Sequence, residues 1–285
     1  MKTLNNMLIT LALLAMPVVA LAGTAELQIL HNSADPAAAE VDVYVNGDLL
    51  LDIFAFRTAT PFLEVPAGVE LLVGVAPGNS NSADDALANF PVTLSNGGRY
   101  LAVANGVLDP DSFAANPDGR STGFTLFLAD HMASGSWWGT VVLRAVHGSS
   151  DAPAVDIRTR LENYNWSRTL YSDVAYGDIG SNKLVYAADR IIDVTLPGQP
   201  DAVVASYTAP LSNLARKALV VFASGFLDPT ANQNGAAFGL FAALDDGTVV
   251  QLPAVGDPMA RLQIIHNAAD PAAAEVDVYV NGDLL

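Results

Sequence analysis

The stretch Ala25–Leu50 reads AELQILHNSADPAAAEVDVYVNGDLL, and it recurs at residues 260–285 as ARLQIIHNAADPAAAEVDVYVNGDLL. A weaker copy, VVLRAVHGSSDAPAVDI, lies between them at residues 141–157. Recurrence of a unit at such a spacing is typical of an array of like domains. We therefore predict two complete domains, followed by the truncated start of a third repeat.

Apolar residues recur with a period of two, and this pattern predicts β-strands through almost the whole repeat. In Val41-Asp42-Val43-Tyr44-Val45 the valines share one face, as in a strand with one side buried. Asn46-Gly47 follows and is a strong hairpin signal, with residues 49–54 as the return strand. Short strands separated by Gly, Pro and Asn turns predict an antiparallel β-sandwich. Further strands are predicted at residues 61–65, 69–75, 90–94, 99–106 and 123–129.

The second unit repeats the landmarks of the first unit in the same order. His31 matches His147 and Phe56 matches Tyr176, so whole domains are duplicated. The linkers are short, and neighbouring domains are therefore expected to touch. The predicted organisation is a signal peptide at 1–22, a first β-sandwich at 23–135, a second at 136–256 and the start of a third repeat at 257–285.

The N-terminus has the pattern of a secretory signal peptide. Lys2 supplies a positive charge, residues 7–19 are apolar, and Ala20-Leu21-Ala22 resembles a cleavage site. The apolar run is short for a membrane anchor, so we expect export with no membrane span after signal removal. The predicted location is secreted, cell-surface or periplasmic.

Composition narrows the function further. The chain has 13 Lys+Arg against 30 Asp+Glu, a formal net charge of −17, which disfavours binding to nucleic acid. It has no cysteine. Disulfides, a thiol nucleophile and a lipidated cysteine are therefore excluded, and stability must come from core burial.

The repeated signature L-x-[IV]-[LIV]-His-x-[SA]-[AS]-Asp, followed by Val-Asp-[VI], resembles the family catalogued as domain of unknown function 4397. That resemblance implies exported bacterial or archaeal domains, often in tandem, with an immunoglobulin-like sandwich and no established activity. The first domain departs from the family by having Phe56-Arg57 where Tyr-Gly is frequent. The residues that carry the motif are His31, Asp35 and Asp42, then His147, Asp151 and Asp156, then His266, Asp270 and Asp277.

Two interpretations of this His/Asp motif remain open. One imidazole and two carboxylates are suitable ligands for a divalent cation, which would make the motif a metal or proton-transfer site. Alternatively, the histidine ring hydrogen-bonds a loop aspartate and fastens the loop to the second strand, where Asp42 or Asp156 projects. Recurrence in every repeat favours the structural interpretation. A Ser-His-Asp triad within residues 147–151 is disfavoured, because triad members converge from separate elements.

Two other groups of residues are candidate sites. Asp109, Asp111 and Asp118 crowd one loop and are weak candidates for calcium, although turn chemistry explains them equally well. No other cofactor is expected. Tyr164, Trp166 and Tyr171 lie around an insertion in the second domain and are a possible ligand surface. Residues 137–138 are a Trp pair that we expect to pack at the domain junction.

These features predict a non-enzymatic structural or adhesive repeat module of the cell exterior. The first alternative is a carbohydrate- or ligand-binding module that uses the aromatic insertion of the second domain. The second alternative is a metal-dependent enzyme that uses the repeated His/Asp motif. The expected partner is an unidentified extracellular protein or glycan.

Overall fold

The computed structural model describes residues 23–162, 164, 166–256, 266–267, 269–270, 275–280 and 283–284. The predicted signal peptide lies outside the described residues. Within the described part of the chain, no helix has the length and apolar character needed to span a membrane. The chain up to Val255 forms one compact unit, and Gly256–Leu285 forms a second.

A first β-sandwich follows the predicted signal peptide. Its strands are β1 (Gly23–His31), β2 (Glu40–Val45), β3 (Asp48–Ala55), β4 (Thr58–Ala59), β5 (Leu63–Ala67), β6 (Glu70–Pro77), β7 (Ala88–Thr93), β8 (Arg99–Asn105) and β9 (Thr125–Ala129). The five-stranded sheet, which we call the inner sheet, has the order β4-β1-β8-β9, with β5 also paired to β1. The four-stranded outer sheet has the order β3-β2-β6-β7. Short 3-10 turns occur at Pro36–Ala38, Ala83–Asp85 and Pro110–Ser112.

The second sandwich repeats this plan. Its strands are β10 (Thr140–His147), β11 (Val155–Leu161), β12 (Arg168–Val174), β13 (Lys183–Tyr186), β14 (Arg190–Thr195), β15 (Val203–Ala209), β16 (Ala218–Ser224), β17 (Gly239–Leu244) and β18 (Val249–Leu252). Its inner sheet is β13-β10-β16-β17-β18 and its outer sheet is β12-β11-β14-β15. A 3-10 turn lies at Pro229–Ala231. In the separate C-terminal unit, β19 (Tyr279–Val280) pairs with β20 (Asp283–Leu284).

The predicted all-β fold of sandwich domains is confirmed. The strand order, however, differs from the immunoglobulin arrangement, in which the first strand pairs with the second. Here β1 pairs with β8 and β10 pairs with β16, and both of these pairs are parallel. The other pairings of named strands are antiparallel, as predicted. The parallel pairs place the end of β1 beside the end of β8, and the end of β10 beside the end of β16.

The hairpin predicted at Asn46-Gly47 joins β2 to β3. Both residues have positive φ, 53° and 93°, as a tight two-residue hairpin turn requires. Val41 and Val43 enter the core, as expected from the alternation. Asp42 and Tyr44 on the opposite face are buried as well, because the loop after β6 covers them. In that loop the hydroxyl of Ser80 lies 2.8 Å from Tyr44 Oη.

The inner sheets of the two sandwiches pack against each other. Leu30 and Val103 of the first sandwich share one apolar cluster with Val146, Val220 and Phe222 of the second. Neighbouring side chains on the same strands point the other way into the two separate sandwich cores. The inner strands are therefore buried on both faces, and every residue of β10 is buried. This explains why these strands lack the polar alternation of β2.

Polar side chains close the same interface at its edge. Asn32 Nδ2 donates to the carbonyl of Ala223 at 3.1 Å, and Asn105 Nδ2 donates to the carbonyl of Gly148 at 3.1 Å. These two bonds are reciprocal, since each joins the residue after a repeat histidine to the end of an inner strand in the other sandwich. A Cβ at position 148 would lie 2.7 Å from the Ala223 carbonyl oxygen, so the close approach requires glycine.

We predict that Phe222→Ala destabilises both sandwiches together. The ring of Phe222 is fully buried in the shared cluster and stacks on Phe241 at 5.6 Å, so truncation leaves a cavity that costs about 3–5 kcal/mol. Urea unfolding followed by circular dichroism measures this loss. Trp138→Ala is the control, because that side chain is 85 % exposed. A Phe222→Ala free energy of unfolding equal to the control would contradict the interface.

Candidate functional site

The repeat histidines occupy equivalent buried positions at the ends of β1 and β10. Nε2 of His31 lies 2.8 Å from the carbonyl oxygen of Ala38, and Nε2 of His147 lies 3.1 Å from that of Pro153. A carbonyl only accepts, so Nε2 carries the proton and Nδ1 of the neutral ring does not. Burial lowers the pKa of His31 to about 4 and also lowers the pKa of His147. Both rings are therefore uncharged at neutral pH.

The first aspartate of each motif joins two loops. The Asp35 carboxylate accepts the backbone N–H of Leu108 at 2.8 Å, which ties the loop after β1 to the loop after β8. In the second sandwich, Asp151 accepts the N–H groups of Leu227 and Asp228, both at 2.9 Å. The first aspartate of the motif therefore joins the corresponding two loops in both sandwiches.

The second aspartate of each motif lies on the outer sheet. Asp42 Oδ1 accepts the N–H of Ile53 at 2.9 Å, and Oδ2 accepts the N–H of Ser80 at 3.1 Å. One carboxylate oxygen is thus used by β3 and the other by the loop after β6. The buried carboxylate has its charge stabilised by these donors, as burial of an ionised group requires.

Asp156 repeats this contact in the second sandwich and shows why it is needed. Its oxygens accept the N–H groups of Asp173 at 2.7 Å and Gly198 at 3.0 Å. Asp173 and its counterpart Ile53 both have positive φ, 52° and 50°. That conformation costs an ordinary L-residue about 1–2 kcal/mol, and a charge-assisted hydrogen bond to the strained residue offsets the cost.

The predicted hydrogen bond between the histidine and the loop aspartate is wrong. Each histidine ring bonds a backbone carbonyl, and each aspartate bonds backbone amides, because the loops present more unpaired backbone groups than side chains. The members of the motif fasten loops separately and do not converge. Among the described residues, no group of three or more His, Asp or Glu side chains is placed to hold a metal ion.

The acidic loop proposed for calcium makes other contacts. Asp109 accepts a hydrogen bond from Ser112 Oγ at 2.6 Å, and Asp111 is exposed. Asp118 accepts the N–H of Ala154 in the second sandwich at 2.7 Å. The three carboxylates are therefore not brought together. The neighbouring Asn116 also donates to that sandwich, so this loop is part of the contact between the sandwiches.

Only two of the three aromatic residues predicted to form a ligand surface are exposed. Tyr164 and Trp166 are 61 % and 77 % exposed, as a ligand surface requires. Tyr171 does not belong to it, because the ring is buried in the core and its hydroxyl lies 2.8 Å from the carbonyl oxygen of Leu143. Its position on β12 turns this residue inward, which the local clustering of aromatic residues did not reveal.

An open groove of about 730 Å³ runs beside the two exposed aromatics. Tyr186 from β13 adds a third exposed aromatic ring. Basic side chains line the same groove, and burial together with the charge of Arg168 lowers the pKa of Arg190. The lining includes Tyr164, Trp166, Arg168, Lys183, Tyr186 and Arg190. The groove can therefore present aromatic faces and positive charge together on a protein of net charge −17.

The Trp pair at 137–138 does not pack at the domain junction, contrary to expectation. Trp137 is 78 % and Trp138 is 85 % exposed. The guanidinium of Arg216 lies 5.1 Å from the Trp138 ring centroid, and that exposed cation–π contact accounts for the orientation of only one ring.

The third copy of the motif lies in the separate C-terminal unit, Gly256–Leu285. His266, Asp270 and Asp277 are exposed there, whereas five of their six counterparts in the two sandwiches are buried and Asp151 is partly exposed.

Sequence reasoning missed the residues that join the sandwiches. Arg57 donates to the carbonyl oxygen of Ala237 at 2.6 Å, and its guanidinium lies 4.3 Å from the Phe241 ring centroid. The signal was present, because Arg57 stands where the family often has glycine. With φ of 63°, it adopts a conformation that favours glycine, which indicates a specific use for its side chain.

We predict that His31 makes the protein sensitive to mild acid. Its folded pKa of about 4 is below its usual 6.5, so the unfolded chain binds a proton that the folded ring excludes as pH falls. The free energy of unfolding should then fall between pH 6.5 and 4, and by about 2 kcal/mol at pH 5 from this ring alone. Urea unfolding at pH 7 and pH 5 measures the loss.

His31→Gln should remove that share of the pH dependence, since glutamine does not titrate. Trp138→Ala is the control, because its exposed side chain carries no titratable group, and it should keep the wild-type dependence. Equal pH dependence in His31→Gln and the wild-type protein would refute the assignment.

Comparison with known proteins identifies one family whose model matches part of the chain. No curated protein matches the chain. A leucine-rich repeat protein from Bacteroides thetaiotaomicron VPI-5482 is 14 % identical over 65 % of this chain and 22 % of its own, with a TM-score of 0.16, too low for a structural argument. A family model described as Domain of unknown function (DUF4397) matches residues 25–158 and confirms the resemblance noted in the sequence. That match contains nearly all of the first sandwich and continues into β11.

Proposed function

We propose that this chain is a non-enzymatic structural or adhesive repeat module of the cell exterior. The observation that carries the proposal is the use of the repeated motif. In both sandwiches the motif aspartates accept backbone amides, and the two histidine rings are neutral and bonded to carbonyl groups. Side chains used in this way fix loops, which is a structural role.

The packing of the sandwiches supports the same role. The inner sheets share an apolar cluster, and the loop of Asn116 and Asp118 adds hydrogen bonds from one sandwich to the other. An extracellular module that lacks disulfides gains resistance to unfolding from such contacts, because each sandwich stabilises its neighbour. The signal-peptide pattern and the acidic composition support an exported location.

Ligand binding through the aromatic groove is the second candidate function. Aromatic faces stack on sugar rings, and Arg168, Lys183 and Arg190 are cations that attract acidic groups. The ligand that fits this combination is an acidic polysaccharide. The remaining alternative, a metal-dependent enzyme based on the repeated His/Asp motif, has no converging set of ligands in the described part of the chain to support it.

Export is tested by expressing the full-length chain in its source organism and separating cytoplasm, envelope and medium. We expect the protein in the envelope or the medium, with a mature N-terminus near Gly23. Deletion of the gene should weaken cell cohesion or attachment, and complementation should restore it. A chain that retains Met1 and stays in the cytoplasm would defeat the proposal, as would unchanged cohesion and attachment after deletion.

For the groove, we predict that Trp166→Ala weakens binding of an acidic polysaccharide about tenfold, because loss of one stacking anchor costs 1–2 kcal/mol. Isothermal titration with a uronic-acid polymer and with a neutral glucan measures this change. Arg190→Ala should reduce the salt dependence of binding. Trp138→Ala, which removes an exposed tryptophan outside the groove, is the control. Failure of the wild-type protein to bind the acidic polymer would rule out this second function.

A further inference from the structure

The second sandwich contains an apolar cavity that the first sandwich lacks. The cavity has a volume of about 250 Å³ and lies between the inner and outer sheets. The corresponding space in the core of the first sandwich is only about 30 Å³. An empty apolar space of this size is unfavourable, since the side chains around it lose dispersion contacts. Its presence in only one of two duplicated domains therefore calls for a specific explanation.

A shorter loop accompanies the larger cavity. The loop between the motif aspartates is two residues shorter in the second sandwich, and it lacks the 3-10 turn Pro36–Ala38. In the first sandwich that turn buries Ala38 completely at the end of the core. Phe54 also lines the small space in the first sandwich, whereas its counterpart Val174 does not line the cavity of the second.

The chemistry of the cavity wall is almost entirely apolar. Ile157, Ile192, Ala205 and Phe238 line it, and no Asp, Glu, Lys or Arg side chain is among its lining residues in the described chain. His147 also contributes to the wall, but burial lowers its pKa and its Nε2 donates to Pro153, so the ring is neutral. The cavity therefore favours an uncharged hydrocarbon group.

The rim of the cavity connects it to solvent. Leu196, Val204 and Leu227 are 36 %, 58 % and 52 % exposed, and all three contribute to its lining. Exposed apolar side chains around an apolar opening are typical of an entrance for a ligand. An occupant can therefore bury a hydrocarbon chain between the sheets while a polar end remains at the rim.

We propose that this cavity binds the hydrocarbon tail of an uncharged amphiphile, such as a medium-chain alcohol or monoacylglycerol. The net charge of −17 disfavours a carboxylate or phosphate head group at the rim, whereas a hydroxyl head group is compatible with it. This binding site goes beyond a structural role, because it gives the second sandwich a ligand that the first sandwich cannot accept.

The full-length protein is tested by displacement of the apolar fluorophore N-phenyl-1-naphthylamine with 1-decanol and with decanoate. We expect saturable displacement by decanol, and at least about tenfold weaker displacement by decanoate at pH 8. Ala205→Phe places a ring in the cavity wall and should weaken decanol binding by about tenfold or more. Val250→Phe adds the same ring at an exposed position outside the cavity and should bind as the wild type does.

Val155→Phe provides a second filled variant, because Val155 lines the cavity and is only partly buried. Thermal unfolding establishes that each variant is folded, and a filled variant should unfold at the wild-type temperature or above it. Weaker decanol binding by either folded variant supports the site. Absence of saturable decanol binding by the wild-type protein would overturn the proposal, as would unchanged binding in both variants or equal binding of decanoate.

Discussion

Backbone amides in the loops and at two irregular strand positions of each sandwich need partners, and carboxylates supply them. Asp35 and Asp151 accept N–H groups from loops, whereas Asp42 and Asp156 accept those of the positive-φ residues Ile53 in β3 and Asp173 in β12. An unpaired buried amide costs about 1–3 kcal/mol, and a bond to a charged acceptor is stronger than a neutral one. Each domain therefore uses its pair of carboxylates in the same way, which gives a structural reason for their recurrence.

The second constraint is the burial of the inner sheets on both faces. A sandwich alone needs one apolar face per sheet, whereas β10 is buried along its whole length. The two domains thus depend on each other for the shielding of apolar surface, and Arg57 reinforces the contact by a hydrogen bond and a cation–π interaction across it. The stability of each sandwich therefore depends on how the two sandwiches are arranged.

Local pattern was enough to predict most of the strands and the hairpin. The alternation of valines with other residues in 41–45 and the Asn-Gly turn depend only on neighbours in the chain, so they can be recognised in a single sequence. The motif residues were also identifiable, because the repeats mark them. Their partners were not, because the carbonyl of Ala38 and the amide of Leu108 belong to the backbone, which every residue shares. Side-chain identity carries no information about such bonds.

The sequence alone also did not predict where some side chains lie in the tertiary structure. Tyr171 and Trp166 are both aromatic residues beside the insertion, yet one is in the core and the other faces water. The difference arises from the direction of β12 and from the shared inner sheets, both of which depend on contacts between residues far apart in the chain. The cavity of the second sandwich has the same origin, since a loop shortened by two residues changes the core only through the fold.

The two sandwiches carry different residues at matching positions of the interface between the inner sheets. The first sandwich contributes Gln28 and Asn32 to it, while the second carries Arg144 and Gly148 at those positions. The third copy has Gln263 and Asn267, as the first does. At these two positions the third copy is therefore more similar to the first sandwich than to the second.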